Sequence, residues 1–283
     1  MNFLEADTRA PLRILELDPG ELAALDRDFV AEIFDSRLTG IIVHGAFPAA
    51  TVARVVERLE SGACDHVERA SRFWKGRAIG PSLHYATAGL RDYFDEVREF
   101  RVDCAALFEG GPDFQTRIDE LLGHAHAGRP LSVLRSAAGE AYATATIRGL
   151  VPTSTMELHV DIEQFKIPTV RHLEAQLDTS SLLSYFVVLG TPEVGGRLHV
   201  HALRYDDDRG EEFARMALPI DEAMRAIAPY GELVLPMAPG DMLLFDAGYY
   251  FHHVEPISGA RTRWTQGGFL SRSCDGASVF YWH

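Results

Sequence analysis

From Pro130 onward the chain is broken into short apolar or alternating runs, and this limits its possible folds more than any other feature. The runs are Tyr142 to Leu150, Leu158 to Asp161, Leu182 to Leu189, Arg197 to Leu203, Leu233 to Leu235, Met242 to Phe245, Tyr249 to Val254, Arg263 to Ser271 and Val279 to Trp282. Turn formers separate them, among them Thr191-Pro192-Glu193, Gly195-Gly196 and Pro239-Gly240-Asp241. Strands of this length with frequent turns predict a β sandwich or barrel. Two stretches interrupt the pattern. The acidic run Asp206 to Glu212 reads as a solvated loop, and Ile220 to Ile227 as a short helix inserted between strands.

The part before Pro130 has a different period. Asp18 can cap a helix with Pro19 in its first turn, and Leu22, Leu25, Phe29 and Ile33 recur at helical spacing to about Ser36. Ile41-Ile42-Val43-His44 predicts a buried strand in which His44 packs or hydrogen-bonds, and Pro48 opens a second helix. Ala63 to His84, which includes Phe73-Trp74, is polar and reads as irregular; helical spacing returns at Leu90 to Phe100 and after Pro112-Asp113. His124 and His126 lie in a Gly-flanked, Ala-rich stretch that reads as a solvated helix end. The expectation is a mainly β chain with flanking helices (α+β), one domain over 1–283. Residues 1–130 would give mostly helical support and a lid, and 131–283 the β core.

Composition excludes several classes of function. The chain has 283 residues, 47% of them hydrophobic and 24% charged, which suits a packed globular protein. Its net charge of −14 opposes attraction to nucleic acid or anionic lipid, so neither is expected as a partner. Met1 to Arg13 has no apolar signal core and no run reaches a membrane span, which predicts a cytoplasmic protein. Cys64, Cys104 and Cys274 form no metal-binding spacing and read as reduced thiols. Oligomeric state leaves no mark on the sequence.

The chemistry concentrates in the second half. His159 and Asp161 are two apart on a predicted strand, so an imidazole and a carboxylate point to one face. His252 on a later strand can complete a facial set of two histidines and one carboxylate, the set that holds non-haem Fe(II) and leaves positions open for a 2-oxoacid and O2. The far carboxylate of such an acid needs a fixed cation. Arg263 suits this, since a guanidinium gives two charge-assisted hydrogen bonds and keeps its proton; Thr265, on the same strand face, can add a hydroxyl. His253 would point to the opposite face. His199 and His201 also share a strand face but have no carboxylate of settled geometry nearby, and read as structural or pocket-lining. Zinc hydrolysis on His159, Asp161 and His252 is chemically open but leaves Arg263 unexplained. No Gly-x-Gly-x-x-Gly phosphate loop and no Gly-x-Ser-x-Gly elbow occurs.

These residues resemble the Fe(II)/2-oxoglutarate-dependent oxygenases. Within them the chain is more similar to the indole-alkaloid aliphatic halogenases and the N-succinyl amino-acid hydroxylases. The likeness covers nearly the whole chain and is carried by Thr39 to Pro48, Gly110-Gly111-Pro112-Asp113-Phe114, Leu183-Ser184-Tyr185-Phe186, Pro192 to Gly196, Gly240 to Phe245 and Gly267-Gly268-Phe269-Leu270. It implies a double-stranded β-helix (jelly-roll, cupin-like) core. It also implies iron on His159, Asp161 and His252, and 2-oxoglutarate with its C5 carboxylate on Arg263. The halogenases carry glycine where this chain has Asp161, and the vacancy admits chloride; a carboxylate there implies hydroxylation of an unactivated C–H bond of a small molecule, an amino-acid derivative or specialised metabolite. His84, Tyr85, Gln164 and Phe165 are candidate substrate contacts. Two alternatives are desaturation or cyclisation with the same cofactors and, from another class, a non-catalytic or zinc-containing cupin-like ligand-binding protein.

Overall fold

The computed structural model describes residues 2–6, 12–65, 67–70, 75–87, 89–152 and 154–283. Two β-sheets face one another. The larger has eleven strands; its central path runs Leu12–Leu17, Gly40–Val43, Met242–Phe245, Leu183–Gly190, Arg263–Arg272, Thr146–Leu150 and Lys75–Ile79. The smaller has four, in the order Glu232–Leu235, Leu198–Arg204, Tyr250–Val254 and Met156–His159. This is the jelly-roll arrangement, with helices Ala49–Glu60, Leu90–Leu107 and Phe114–Ala125 beside the larger sheet.

Strand periodicity explains why the larger sheet can be covered on both sides. Leu15, Ile41, Tyr185, Val187 and Leu244 point to the helices, where Val52, Val55, Phe108 and Phe114 meet them. Their neighbours Ile14, Ile42, Leu243 and Phe245 point to the smaller sheet and pack with Leu198, Val200 and Val254. Both faces are buried, so these strands read as unbroken apolar runs rather than alternating ones. Gly240 closes the turn into Met242–Phe245: its φ of +96° suits glycine, and a Cβ there would lie 2.3 Å from the carbonyl oxygen of Phe47.

Several expectations change. The helix expected from Pro19 to about Ser36 is two helices, Pro19–Ala24 and Phe29–Phe34, because the Asp28 carboxylate accepts from the Ala31 N–H and starts a new one. The irregular stretch before His84 contains strands Val67–Ala70 and Lys75–Ile79, paired antiparallel; Phe73-Trp74 lies outside the described residues. The charged loop from Asp206 becomes helix Asp208–Met216, since Asp207 caps it by accepting from Gly210 N–H. His126 is buried, not solvated, and its Nδ1 meets Asp28 Oδ1 at 2.9 Å. His44 is tied on both ring nitrogens, to Asp241 at 3.0 Å and Glu16 at 3.1 Å. Among the described residues no helix is long and apolar enough to cross a membrane.

Leu244 is fully buried where the larger sheet meets the helices. Replacing it with alanine should lower unfolding free energy by about 2–5 kcal/mol, the cost of a core cavity; an unchanged urea midpoint would show that this layer does not carry the fold.

Candidate metal centre and its cavity

The centre is built on one antiparallel strand pair. His159 stands directly opposite His252 where Met156–His159 pairs with Tyr250–Val254, and a bulge lies between this pair and the Met156–Val254 pair. The two imidazole rings are 4.2 Å apart between centroids. The strand ends at His159, earlier than expected, and Asp161 opens a short 3-10 helix to Lys166. Val160 between them remains extended, with φ −128° and ψ 141°, so His159 and Asp161 still project to one side. The Asp161 N–H donates to Ala247 C=O at 2.8 Å and fixes the start of that turn.

The ligand atoms of His159, Asp161 and His252 all lie within 4.8 Å of one another. Asp161 Oδ1 is 3.4 Å from His159 Nε2 and 3.9 Å from His252 Nε2. Each histidine has its other nitrogen at a backbone carbonyl, His159 Nδ1 at Glu157 O (2.6 Å) and His252 Nδ1 at Tyr250 O (2.9 Å). A carbonyl only accepts, so Nδ1 carries the proton and the Nε2 lone pairs face Asp161, the tautomer a metal ligand needs. Ser184 Oγ donates to Asp161 Oδ2 at 2.5 Å, which orients the carboxylate and leaves Oδ1 toward the imidazoles.

Burial and neighbouring groups shift two of these residues, Asp161 and His252. Burial opposes ionisation of Asp161, whereas His159 and His252 when protonated, together with the Ser184 hydroxyl, hold the carboxyl below its usual range; with neutral imidazoles the Ser184 bond remains. Burial, reinforced by His159, pushes His252 down to about 4, so its ring is neutral at pH 7.

One cavity joins this cluster to Arg263 and Thr265, and it offers about 550 Å³ counting the part open to solvent. Met156, Leu198 and Val254 line it from the smaller sheet, Phe186 and Phe245 from the larger. On Arg263–Arg272, Arg263 and Thr265 point into the cavity. Trp264 between them packs toward the helices and donates from its indole to Glu60 Oε1 at 2.6 Å. Arg263 is buried, and burial lowers its pKa to about 10. Its guanidinium lies 5.8 Å over the Phe186 ring, and no carboxylate among the described residues pairs with it.

The sequence reading missed two lining residues. Arg148 sits opposite Thr265 across paired strands, is half-buried, and bonds His283 Nε2 at 2.8 Å without a carboxylate partner among the described residues. Ser184 lies on the inward face of Leu183–Gly190. Both are polar residues inside otherwise apolar strand runs, the one signal that could have found them. His84, Tyr85, Gln164 and Phe165 are absent from the cavity lining. The side chain of His84 bonds Gln164, and Phe165 packs in the cluster of Leu83, Phe94 and Trp282.

Residues 11–283 match the family described as the carrier-protein-independent halogenase WelO5. No curated protein matches the chain. Among solved structures it is similar to an N-substituted L-amino acid dioxygenase from Burkholderia ambifaria AMMD, with 16% identity, 89% of each chain covered and a TM-score of 0.57. The same dioxygenase in complex with alpha-KG gives 16% identity, the same coverage and 0.48. The alpha-ketoglutarate-dependent carbocyclase SnoK from nogalamycin biosynthesis gives 13%, with 89% of this chain and 88% of that one covered, and 0.48.

An unpaired buried cation is expensive for the ligand-free fold. Arg263→Met, similar in length and uncharged, should therefore raise the unfolding free energy of ligand-free protein by about 1–4 kcal/mol, seen as a higher urea midpoint. A lower midpoint would mean that the guanidinium is already compensated.

Proposed function

The chain belongs to the family of the carrier-protein-independent halogenase WelO5, and from that membership we propose that it is an Fe(II)- and 2-oxoglutarate-dependent oxygenase that hydroxylates an unactivated C–H bond of a small molecule. The observation that carries the hydroxylase reading is Asp161, a carboxylate beside two correctly oriented imidazoles at the position where the halogenases it resembles have glycine. His159, Asp161 and His252 would hold such a metal, and the Asp161 carboxylate would stand where a halide would otherwise bind.

The cavity fits the co-substrate as well as the metal. 2-Oxoglutarate is a dianion, and the cavity presents two arginines with no carboxylate partner among the described residues. Arg263, with the Thr265 hydroxyl beside it, would take the C5 carboxylate; Arg148, within electrostatic reach of Asp161, would take the C1 end near the metal. When bound, the metal and 2-oxoglutarate together supply O2 activation driven by oxidative decarboxylation to succinate and CO2. The protein's part is positioning. Ser184 holds Asp161 to its ligand direction, the backbone carbonyls of Glu157 and Tyr250 hold the imidazoles, and the apolar walls exclude water. The substrate is an amino-acid derivative or specialised metabolite; substrate-dependent succinate formation across free and N-acylated amino acids and alkaloid scaffolds would identify it.

Anaerobic addition of Fe(II) and 2-oxoglutarate should give a visible metal-to-ligand charge-transfer band, and no band despite bound metal would overturn the reading. Arg263→Ala should weaken 2-oxoglutarate at least ~30-fold, the lower end of the cost of leaving a buried charge unpaired (about 2 kcal/mol); an unchanged affinity removes this arginine from the site. Asp161→Gly should abolish hydroxylation, whereas a fully active variant would show that Asp161 is not a ligand.

A further inference from the structure

The Arg148 guanidinium is steered by a side chain that lies outside the cavity. Its Nη2 donates to His283 Nε2 at 2.8 Å, and Thr146 Oγ1 stands 3.0 Å from the same nitrogen. His283 directly follows the strand Val279–Trp282 and is 4% exposed. It lines no part of the cavity, whereas Phe269 does, and the two rings stack at 5.5 Å and 20°. The backbone is pinned as firmly as the ring. His283 N–H donates to Ala143 C=O at 2.6 Å, and the Tyr93 hydroxyl donates to His283 C=O at 2.6 Å.

The chemistry of this pair fixes its protonation. A guanidinium only donates and keeps its proton. His283 Nε2 must therefore accept, which puts the ring proton on Nδ1, a buried atom beside the Pro81 carbonyl. Burial, and after it the Arg148 charge, push this imidazole well below its ordinary pKa, so the ring is neutral at pH 7. A carboxylate in the same place would hold the guanidinium at least as strongly, but would also cancel its charge. The neutral imidazole holds it and cancels nothing, and no carboxylate among the described residues pairs with Arg148.

We propose that His283 is the positioning residue for Arg148. It holds the guanidinium by a neutral acceptor, so that the arginine meets the co-substrate both oriented and fully charged. This rests on the reading in which Arg148 takes the C1 end of 2-oxoglutarate. The freedom of a long side chain is then lost on folding and not on binding, and such preorganisation strengthens affinity without any new contact to the ligand. His283 acts through the arginine alone, since it has no atom in the cavity lining.

The test compares two side chains of one shape. Glutamine can offer Arg148 a neutral amide oxygen, and glutamate offers a carboxylate. Affinity is read by anaerobic titration of the Fe(II) protein with 2-oxoglutarate, followed at the charge-transfer band, so no turnover is involved. His283→Gln should bind within about threefold of wild type, and His283→Glu at least about tenfold more weakly, the scale of one hydrogen bond to a charged group. His283→Leu, which keeps an apolar contact to Phe269 but removes the acceptor, should also lose about tenfold, and nothing further in an Arg148→Met background. Equal affinities for His283→Gln and His283→Glu overturn the inference, as does a His283→Leu loss that persists without Arg148. Should His283→Leu fail to fold, the comparison of His283→Gln with His283→Glu decides alone. Wild-type protein that binds metal but shows no band overturns the oxygenase reading, and this inference with it. A wild-type band with equal affinities in those two variants overturns this inference alone.

Discussion

The facing of His159 and His252 across a single strand pair is the contact on which the cavity depends. Strand pairing sets the separation of the rings, and the Nδ1 bonds to Glu157 and Tyr250 set their rotation. Asp161 is brought to them by one extended residue and a backbone bond to Ala247. Little of this geometry relies on loops. It is carried by elements whose other contacts are buried apolar side chains, so the site is held as rigidly as the sheets themselves.

The second constraint is charge. A chain with net charge −14 keeps two arginines inside the same cavity as its candidate metal ligands. Against that background the cavity is a local positive well, able to draw in a small dianion that the surface as a whole repels. Burial makes the well strong because little water screens it, and makes it costly for the same reason. Stability and the proposed capture of a dianion pull in opposite directions at Arg263.

Much of this is legible in the sequence. The strand pattern predicted the paired sheets, and alternation brought His159, Asp161, His252, Arg263 and Thr265 together, since each lies on an inward position of a strand or just beyond one. Arg148 and Ser184 carry one weak signal, a polar residue inside an otherwise apolar strand run, which does not by itself say what that residue faces. Of the candidate substrate contacts, Gln164 and Phe165 directly follow the metal strand, whereas His84 and Tyr85 lie far before it in the chain. The 3-10 turn that begins at Asp161 instead directs Phe165 toward Trp282 and Gln164 toward His84. Asp28 and Asp207 are both capping residues: Asp28 restarts a helix inside a stretch whose spacing reads as continuous, and Asp207 starts one in a stretch whose charge reads as solvated.

Trp264 shows how far the working site extends. Its indole faces away from the cavity and bonds Glu60 at the end of a helix on the far side of the larger sheet, while its two chain neighbours face in. The depth at which the Arg263 guanidinium sits is therefore set from both sides of the sheet. Glu60 lines no part of the cavity, yet its bond to Trp264 anchors the strand on which Arg263 stands. A survey limited to residues with an atom in the cavity would leave out one of the side chains that calibrate it.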